Sequence, residues 1–194
     1  MSRKSVVKAY TLRIELQEVE PLIWRRLLVD GDTTLSKLHH YIQAAMGWTD
    51  AHLHEFEIGG KTYATPHPED DPERDIVDER KVRLDRLATT GDHFSYLYDF
   101  GDSWQHRVVV ERVESLDGDQ RGYAYVSAGE RACPPEDVGG AAAYMDFVEQ
   151  ISRRPLDDEG RRLLRWAGED FDPARFDRHA ANATLLRMAW NRWG

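Results

Sequence analysis

Hydrophobic and polar residues alternate strictly near the start of the chain, between residues 10 and 17. The apolar members of this stretch share one face: Tyr10, Leu12, Ile14 and Leu16. A period of two residues is typical of a half-buried β-strand. Residues 18–21 are predicted to form a turn and residues 22–29 a return strand, so this part of the chain predicts a β-hairpin.

The spacing then changes to that of an amphipathic helix. Its apolar positions recur every three or four residues: Leu35, Leu38, Ile42, Ala45 and Met46. Residues 32–34 offer side chains for an N-cap, and Gly47 is placed to end the helix. On a helical wheel His39 falls inside the apolar stripe and His40 does not, so we expect His39 to point into the core.

Further strands are predicted from alternation in the middle of the chain. The residues that share one face of the next strand are His52, His54, Phe56 and Ile58. Residues 61–64 form its short partner, and residues 94–100 and 104–113 predict a second hairpin around a tight turn. The intervening stretch, residues 66–80, is rich in acids and prolines, and we predict an exposed, partly mobile loop there.

Helices dominate after about residue 129. Residues 137–152 and 156–166 are predicted helices, the first capped by Asp137, and Asp172-Pro173 is predicted to begin the last one. Strands with one helix followed by several helices indicate the α+β class.

The order of elements predicts a hairpin, helix and strands in a mixed or antiparallel sheet. A β-grasp-like arrangement, with the helix packed across the sheet, is one topology that fits this order. We divide the chain into a sheet-plus-helix core at residues 1–120 and a mainly helical C-terminal part at residues 121–194, packed together as one compact unit.

Composition narrows the class of protein. The 194 residues can bury a sizeable core, and the formal charge of −9 disfavours binding to nucleic-acid phosphate. With one cysteine, Cys133, the chain forms no internal disulfide and no multi-cysteine zinc site. Residues 1–8 do not resemble a signal peptide, and no segment approaches the ~20 apolar residues of a membrane span. We therefore expect a cytoplasmic protein without a membrane partner.

Six short motifs occur in one order along the chain. They are Pro21-Leu-Ile-Trp-Arg-Arg26, Thr34-Leu-Ser-Lys-Leu-His39, Met46-Gly-Trp48, His52-Leu-His-Glu-Phe56, Tyr98-Asp-Phe-Gly-Asp-Ser-Trp-Gln-His106 and Cys133-Pro-Pro-Glu-Asp-Val-Gly-Gly140. Together they resemble the pRiA-plasmid ORF-three-like family, whose members are often labelled insertion-element passenger proteins of TnpR type. The resemblance spans nearly the whole chain and implies an α+β fold and an association with mobile elements. It implies no particular reaction, and the chain shows no convincing serine-recombinase catalytic segment.

Three histidines form the first candidate site. His39 points into the core from the helix, while His52 and His54 point the same way from the following strand. If the helix packs on that face, three imidazoles converge and are suited to a divalent transition metal. The alternative is a set of semi-buried histidines that hydrogen-bond to backbone or carboxylates and support the sheet.

The tight turn of the second hairpin is the second candidate. Asp99, Asp102 and His106 could bind a cation or act as acid and base, and Trp104 would pack over the ribbon. Aspartate beside glycine is also what such a turn requires, because the carboxylate accepts hydrogen bonds from the turn N–H groups.

The third candidate is the corner from Cys133 to Gly140. Glu136, Asp137, Gly139 and Gly140 lie at a predicted helix N-terminus, which favours anions. Cys133 would be a nucleophile if its pKa were lowered there. The alternative is a structural corner that docks the helical part onto the sheet.

These sites support three functional hypotheses. We favour a non-catalytic binding or interaction protein whose partner is a protein or a small anionic ligand, with no cofactor. The second is a metal-dependent, hydrolase-like enzyme that uses the histidines. The third is a nucleic-acid-handling accessory protein that stacks bases on Trp24, Arg25, Arg26 and Trp48, and the net charge disfavours it.

Overall fold

The computed structural model describes residues 6–68, 71, 74–117 and 124–191. Its elements, in chain order, are β1 Val6–Leu16, β2 Trp24–Asp30, α1 Leu35–Met46, β3 His54–Ile58, β4 Lys61–Ala64, β5 Ile76–Asp78, β6 His93–Tyr98, β7 Trp104–Asp117, β8 Tyr125–Glu130, α2 Gly140–Ser152, α3 Asp158–Ala167 and α4 Arg178–Trp190. The α+β class is confirmed. None of the described helices combines the length and the apolar character that crossing a bilayer requires.

The strands form one mixed sheet in the order β5-β4-β3-β6-β7-β1-β2-β8. Neighbouring strands are antiparallel except β4 and β5, which are parallel. Both predicted hairpins are confirmed, as β1–β2 and β6–β7. The inward side chains of the long central strands are apolar, and they bury one face of the sheet against α1.

Helix α1 begins and ends where its sequence predicts. The Thr34 hydroxyl accepts a hydrogen bond from the Lys37 N–H at 3.3 Å, which satisfies one of the free N–H groups at the helix start. Gly47 adopts a left-handed conformation at φ 111° and ends the helix. His39 is buried at 2% exposure, as the apolar stripe predicts.

Two predicted helix starts are wrong. Helix α2 is capped by Gly139 and not by Asp137, whose own backbone is left-handed at φ 58° and directs its side chain elsewhere. Helix α4 begins at Arg178 behind the cap Asp177, because the Asp172 carboxylate accepts the Ala174 N–H in a separate turn.

The acid-rich stretch is also more ordered than its composition predicts. Residues 76–78 form the edge strand β5, and Glu79, in the turn that follows, is completely buried. A strand of three residues is too short for alternation to reveal it. Residues 69, 70, 72 and 73 of this stretch lie outside the described part of the chain.

Residues of the C-terminal part pack directly on the sheet. The Asn182 side chain of α4 accepts the Val126 N–H at 2.8 Å and donates to the Val126 carbonyl at 2.9 Å. This contact covers the open edge of β8, a strand that the sequence did not reveal. The division at residues 120 and 121 falls outside the described residues and stays a prediction.

Candidate functional site

Two groups of side chains within the described residues bring three metal-ligand atoms within 4.8 Å of one another. The members are His39, His40 and Asp50 in the first group and His52, Asp99 and Asp137 in the second. The three histidines of the first candidate site, His39, His52 and His54, do not form such a group. The two clusters differ in whether their polar atoms already have partners.

His39 and His54 do meet, as the sequence predicts. Their rings stack in parallel, with centroids 3.4 Å apart and an angle of 2° between the planes. Each ring is also hydrogen-bonded to a carboxylate of its own. The Nε2 of His39 lies 2.6 Å from Asp50 Oδ1, and the Nε2 of His54 lies 2.9 Å from Glu79 Oε2.

The contacts of His39 form a closed ring of hydrogen bonds. A carboxylate only accepts, so Nε2 of His39 carries the proton that Asp50 accepts, and Nδ1 accepts from the Tyr96 hydroxyl at 2.8 Å. That hydroxyl accepts from Gln43 Nε2 at 3.0 Å, and Gln43 Oε1 accepts the Asp50 N–H at 3.1 Å. Burial lowers the pKa of His39 to about 4, although Asp50 acts to raise it. The His39 imidazole is therefore neutral at physiological pH, and both of its nitrogens are hydrogen-bonded, which is typical of a structural histidine.

Glu79 completes this histidine network and was missed in the sequence. It accepts hydrogen bonds from His54 at 2.9 Å and from the Thr65 hydroxyl at 2.7 Å. Burial acts to raise the pKa of Glu79, but these hydrogen bonds outweigh it and leave the pKa lowered. The sequence did not reveal Glu79, because its neighbours in the acidic stretch do not distinguish this buried carboxylate from the exposed ones.

His52 lies in the second group because strand β3 begins only at His54. The period of two therefore does not reach His52, and the expectation that both histidines point the same way is wrong. The Nε2 atom of His52 is buried and has no hydrogen-bond partner. It faces three carboxylates: Asp137 Oδ1 at 3.2 Å, Asp99 Oδ2 at 3.6 Å and Glu136 Oε2 at 4.0 Å. We call these four residues the corner cluster.

Asp99 is fixed by the hairpin turn that the sequence predicts. Its backbone is left-handed at φ 55°, and its Oδ1 accepts the N–H of Gly101 at 2.9 Å and of Asp102 at 3.3 Å. Turn geometry thus uses one carboxylate oxygen and leaves Oδ2 facing His52. The imidazole beside Asp99 is that of His52 and not that of His106.

Glu136 is fixed in the same way by other partners. Its Oε1 accepts hydrogen bonds from the Thr49 N–H at 2.8 Å, the Thr49 hydroxyl at 3.2 Å and the Tyr98 hydroxyl at 3.1 Å. Its Oε2 faces His52. Asp137 is the outermost member, with a side chain 75% exposed, so the cluster opens to solvent on that side.

Asp102 and the two glycines hold the corner against the hairpin turn. The Gly139 N–H donates to Asp102 Oδ2 at 3.0 Å. A Cβ atom on Gly140 would lie 2.7 Å from the Asp102 carbonyl oxygen, so only glycine permits this approach. The corner therefore docks the helical part onto the sheet, which is the structural alternative given for this candidate site.

Trp104 and His106 lie on the inner face of β7 and are both 1% exposed. His106 Nδ1 donates to the Trp104 carbonyl at 2.9 Å, and its ring meets the edge of Trp48 at a centroid distance of 5.3 Å. Burial lowers the pKa of His106 to about 4. These two residues belong to the core beneath the corner cluster.

Cys133 is not an activated nucleophile. Although the residue is partly exposed, its thiol is enclosed, and this burial raises its pKa well above the usual value. The lowered pKa on which the nucleophile hypothesis depends is therefore not found, because desolvation of the thiolate outweighs the nearby Arg25 charge.

The proposed base-stacking surface is also occupied by other contacts. Arg25 and Trp48 are buried, and Arg26 donates two hydrogen bonds to Glu111. Trp24 is covered by the guanidinium of Arg13, which lies 4.1 Å from the ring centroid.

The chain is similar in sequence and in fold to known proteins. The family described as plasmid pRiA4b ORF-3-like protein matches residues 8–180. An uncharacterized protein, y4hQ, from Sinorhizobium fredii is 38% identical over 189 residues, which cover 95% of this chain and 91% of that protein. The crystal structure of a protein of unknown function, MM3350, from Methanosarcina mazei Go1 matches with a TM-score of 0.80 and 34% identity, over 92% of this chain and 98% of that chain.

Proposed function

This chain belongs to the plasmid pRiA4b ORF-3-like protein family, and we propose that it is a binding protein that holds a divalent transition metal in the corner cluster. The resemblance drawn from the six sequence motifs is thereby confirmed. The link to mobile elements rests on the family's name, so the function is argued from the site itself.

One observation carries the proposal. The buried Nε2 atom of His52 has no hydrogen-bond partner, yet oxygens of three carboxylates lie within 4.0 Å of it. Burying a polar atom without a partner costs free energy, and so does bringing carboxylates together. A divalent cation relieves both costs, because it accepts the imidazole lone pair and neutralises the acids.

The distances fit a metal ion. Two ligand atoms that each lie about 2.1 Å from a tetrahedral zinc ion are about 3.4 Å apart. The separations of 3.2 Å for Asp137, 3.6 Å for Asp99 and 4.0 Å for Glu136 from His52 Nε2 lie around that value. A nitrogen with oxygen ligands suits zinc, manganese or iron.

Hydrogen bonds orient two of the carboxylates, those of Asp99 and Glu136, toward the proposed metal. Asp99 Oδ1 and Glu136 Oε1 are held by N–H and hydroxyl groups, so each acid presents its other oxygen in a fixed direction. Outer hydrogen bonds of this kind orient metal ligands in proteins. In the group of His39, His40 and Asp50, by contrast, the carboxylate oxygens lie 2.6 Å and 3.0 Å from the imidazole nitrogens, so those atoms are already paired.

Calorimetric titration of the metal-free protein with Zn²⁺ and Mn²⁺ tests the proposal. We expect one ion per chain, with affinity lowered more than about tenfold in His52→Ala and in Asp99→Asn, since each removes a ligand. His40→Gln is the control, because it alters the other cluster and should leave the affinity unchanged. Stoichiometric binding that survives both corner variants, or no binding in the unaltered protein, would contradict a metal site at the corner.

A further inference from the structure

Arg25 is a buried guanidinium whose charge has no carboxylate beside it in the described parts of the chain. It is 0% exposed, on strand β2. Its Nε donates to the Ala45 carbonyl at 2.8 Å, and its Nη1 donates to the carbonyls of Trp24 and Glu130, each at 2.9 Å. These three carbonyl oxygens, one at the end of α1 and two on strands β2 and β8, offset only part of a full positive charge.

The third nitrogen of Arg25, Nη2, is buried without an acceptor. The Phe176 ring covers one face of the guanidinium, 3.7 Å from ring centroid to Cζ. What the side chain still offers is therefore an in-plane N–H, the direction from which carboxylates bind arginine. Burial lowers the pKa of Arg25 only to about 10, so the group is charged at neutral pH.

A cavity of about 360 Å³ adjoins this side chain. It lies between the end of α1, the corner before α2 and the start of α4. Its apolar lining includes Met46, Trp48, Phe171 and Phe176. The lining also includes three charged residues, Glu136, Arg175 and Asp177. The buried charge of Arg25 next to the apolar side chains suits a ligand that has a single negative group on an apolar body.

We propose that this cavity binds a small organic carboxylate, whose carboxylate accepts the free N–H of Arg25 and whose apolar part lies against Met46, Trp48 and Phe171. Nη2 of Arg25 is buried, so the side chains that line the cavity shift as the carboxylate reaches this edge of the guanidinium, while Phe176 stays on its face. The site is separate from the corner cluster in its charge and in its ligand, although Glu136 borders both.

Titration calorimetry with benzoate, acetate and chloride at constant ionic strength tests this site. We expect one benzoate per chain, bound at least about tenfold more tightly than acetate, because the ring buries additional apolar surface. Chloride at the same concentration should compete weakly, since it lacks that surface. Equal binding of all three anions would overturn the assignment and indicate a general attraction of anions.

Two variants on neighbouring positions of β2 give a matched comparison. Arg25→Met should abolish benzoate binding, whereas Arg26→Met removes the same charge from an outward side chain paired with Glu111 and should leave binding intact. Benzoate binding that survives in Arg25→Met would overturn the proposal.

If Arg25→Met does not fold, Ala181→Leu replaces it, because Ala181 lines the cavity and leaves the Arg25 charge in place. This variant should lose benzoate binding by filling the space, and unchanged binding would overturn the proposal. Zinc titration of Ala181→Leu and Arg26→Met should give the unaltered affinity, so failure of the carboxylate site is distinguishable from failure of the metal site.

Discussion

Acidification from pH 6.5 to pH 4 is expected to lower the free energy of unfolding by about 3 kcal/mol through His106 alone. The reason is that burial lowers the pKa of His106 from 6.5 to about 4 in the folded protein. Between these two values the unfolded chain binds a proton that the folded chain does not. Protonation therefore favours the unfolded state, and the stability present above pH 6.5 is lost as the pH falls.

The surroundings of His106 explain the size of this effect. The imidazole is enclosed by the core, with Trp48 and Tyr96 against it, and this burial opposes protonation most. The hydrogen bonds of Nδ1 to the Tyr96 and Trp104 carbonyls act to raise the pKa but do not offset the burial, and the nearby Arg25 charge lowers it further. Tyr96 hydrogen-bonds to His39, whose pKa burial also lowers to about 4, so His39 should add to the loss in the same pH window.

Urea unfolding at a series of pH values measures this dependence. In His106→Asn the side-chain amide can still donate to the Trp104 carbonyl but does not titrate, so the curve should be flatter by about 3 kcal/mol over the window. His93→Gln, at an exposed position of β6, is the control and should keep the original slope. Equal slopes in His106→Asn and the unaltered protein would show that the lowered pKa of His106 is wrong.

Replacing Gly140 with alanine is expected to cost about 2–4 kcal/mol of unfolding free energy. Two effects add. The residue has φ 84°, a left-handed conformation that L side chains rarely adopt, and its Cβ would lie 2.7 Å from the Asp102 carbonyl oxygen. Backbone cannot move aside as a flexible side chain can, so the corner and the hairpin turn must separate.

Gly91→Ala separates the two contributions. Gly91 has a similar φ of 92°, but a Cβ there meets nothing within 4 Å. Thermal or urea unfolding should show a loss of about 1 kcal/mol for Gly91→Ala and clearly more for Gly140→Ala. Because the Gly140 contact holds Glu136 and Asp137 against His52, Gly140→Ala should also weaken metal binding, whereas Gly91→Ala should not. Equal losses in the two variants would contradict a close backbone contact at the corner.

Local periodicity predicts much of the fold. The stripe of α1, its Thr34 cap and its Gly47 stop all depend on neighbouring residues, and each is found where the sequence places it. The two hairpins follow from alternation for the same reason. The stacking of His39 on His54 was also predictable, since each residue lies within a regular element with a defined inward face.

The corner cluster could be predicted only in part. Asp99, Glu136 and Asp137 were recognised as candidate binding residues, but they meet His52 from outside regular strands and helices, where no period fixes the direction of a side chain. Asp99 and Asp137 have left-handed backbones, at φ 55° and 58°. Only the long-range contact between the hairpin turn and the corner brings them together.

Some missed residues did leave a signal in the sequence. Tyr96 and Tyr98 follow Phe94 at every second position of β6, so all three share the buried face and both hydroxyls lie beside the histidines. Gln43 lies four residues after His39 and thus one turn further along the same side of α1. Glu79 and Asp50 left none, because both lie outside the α-helices and β-strands, where no period fixes the direction of a side chain.

Crystals of the protein grown with zinc would test the metal site most directly, through anomalous diffraction at the zinc absorption edge. We predict one strong anomalous peak about 2.0–2.2 Å from His52 Nε2 and from carboxylate oxygens of Asp99 and Asp137. The absence of a peak among these residues in fully loaded crystals, or a peak beside His40 and Asp50 instead, would contradict a metal centre at the corner.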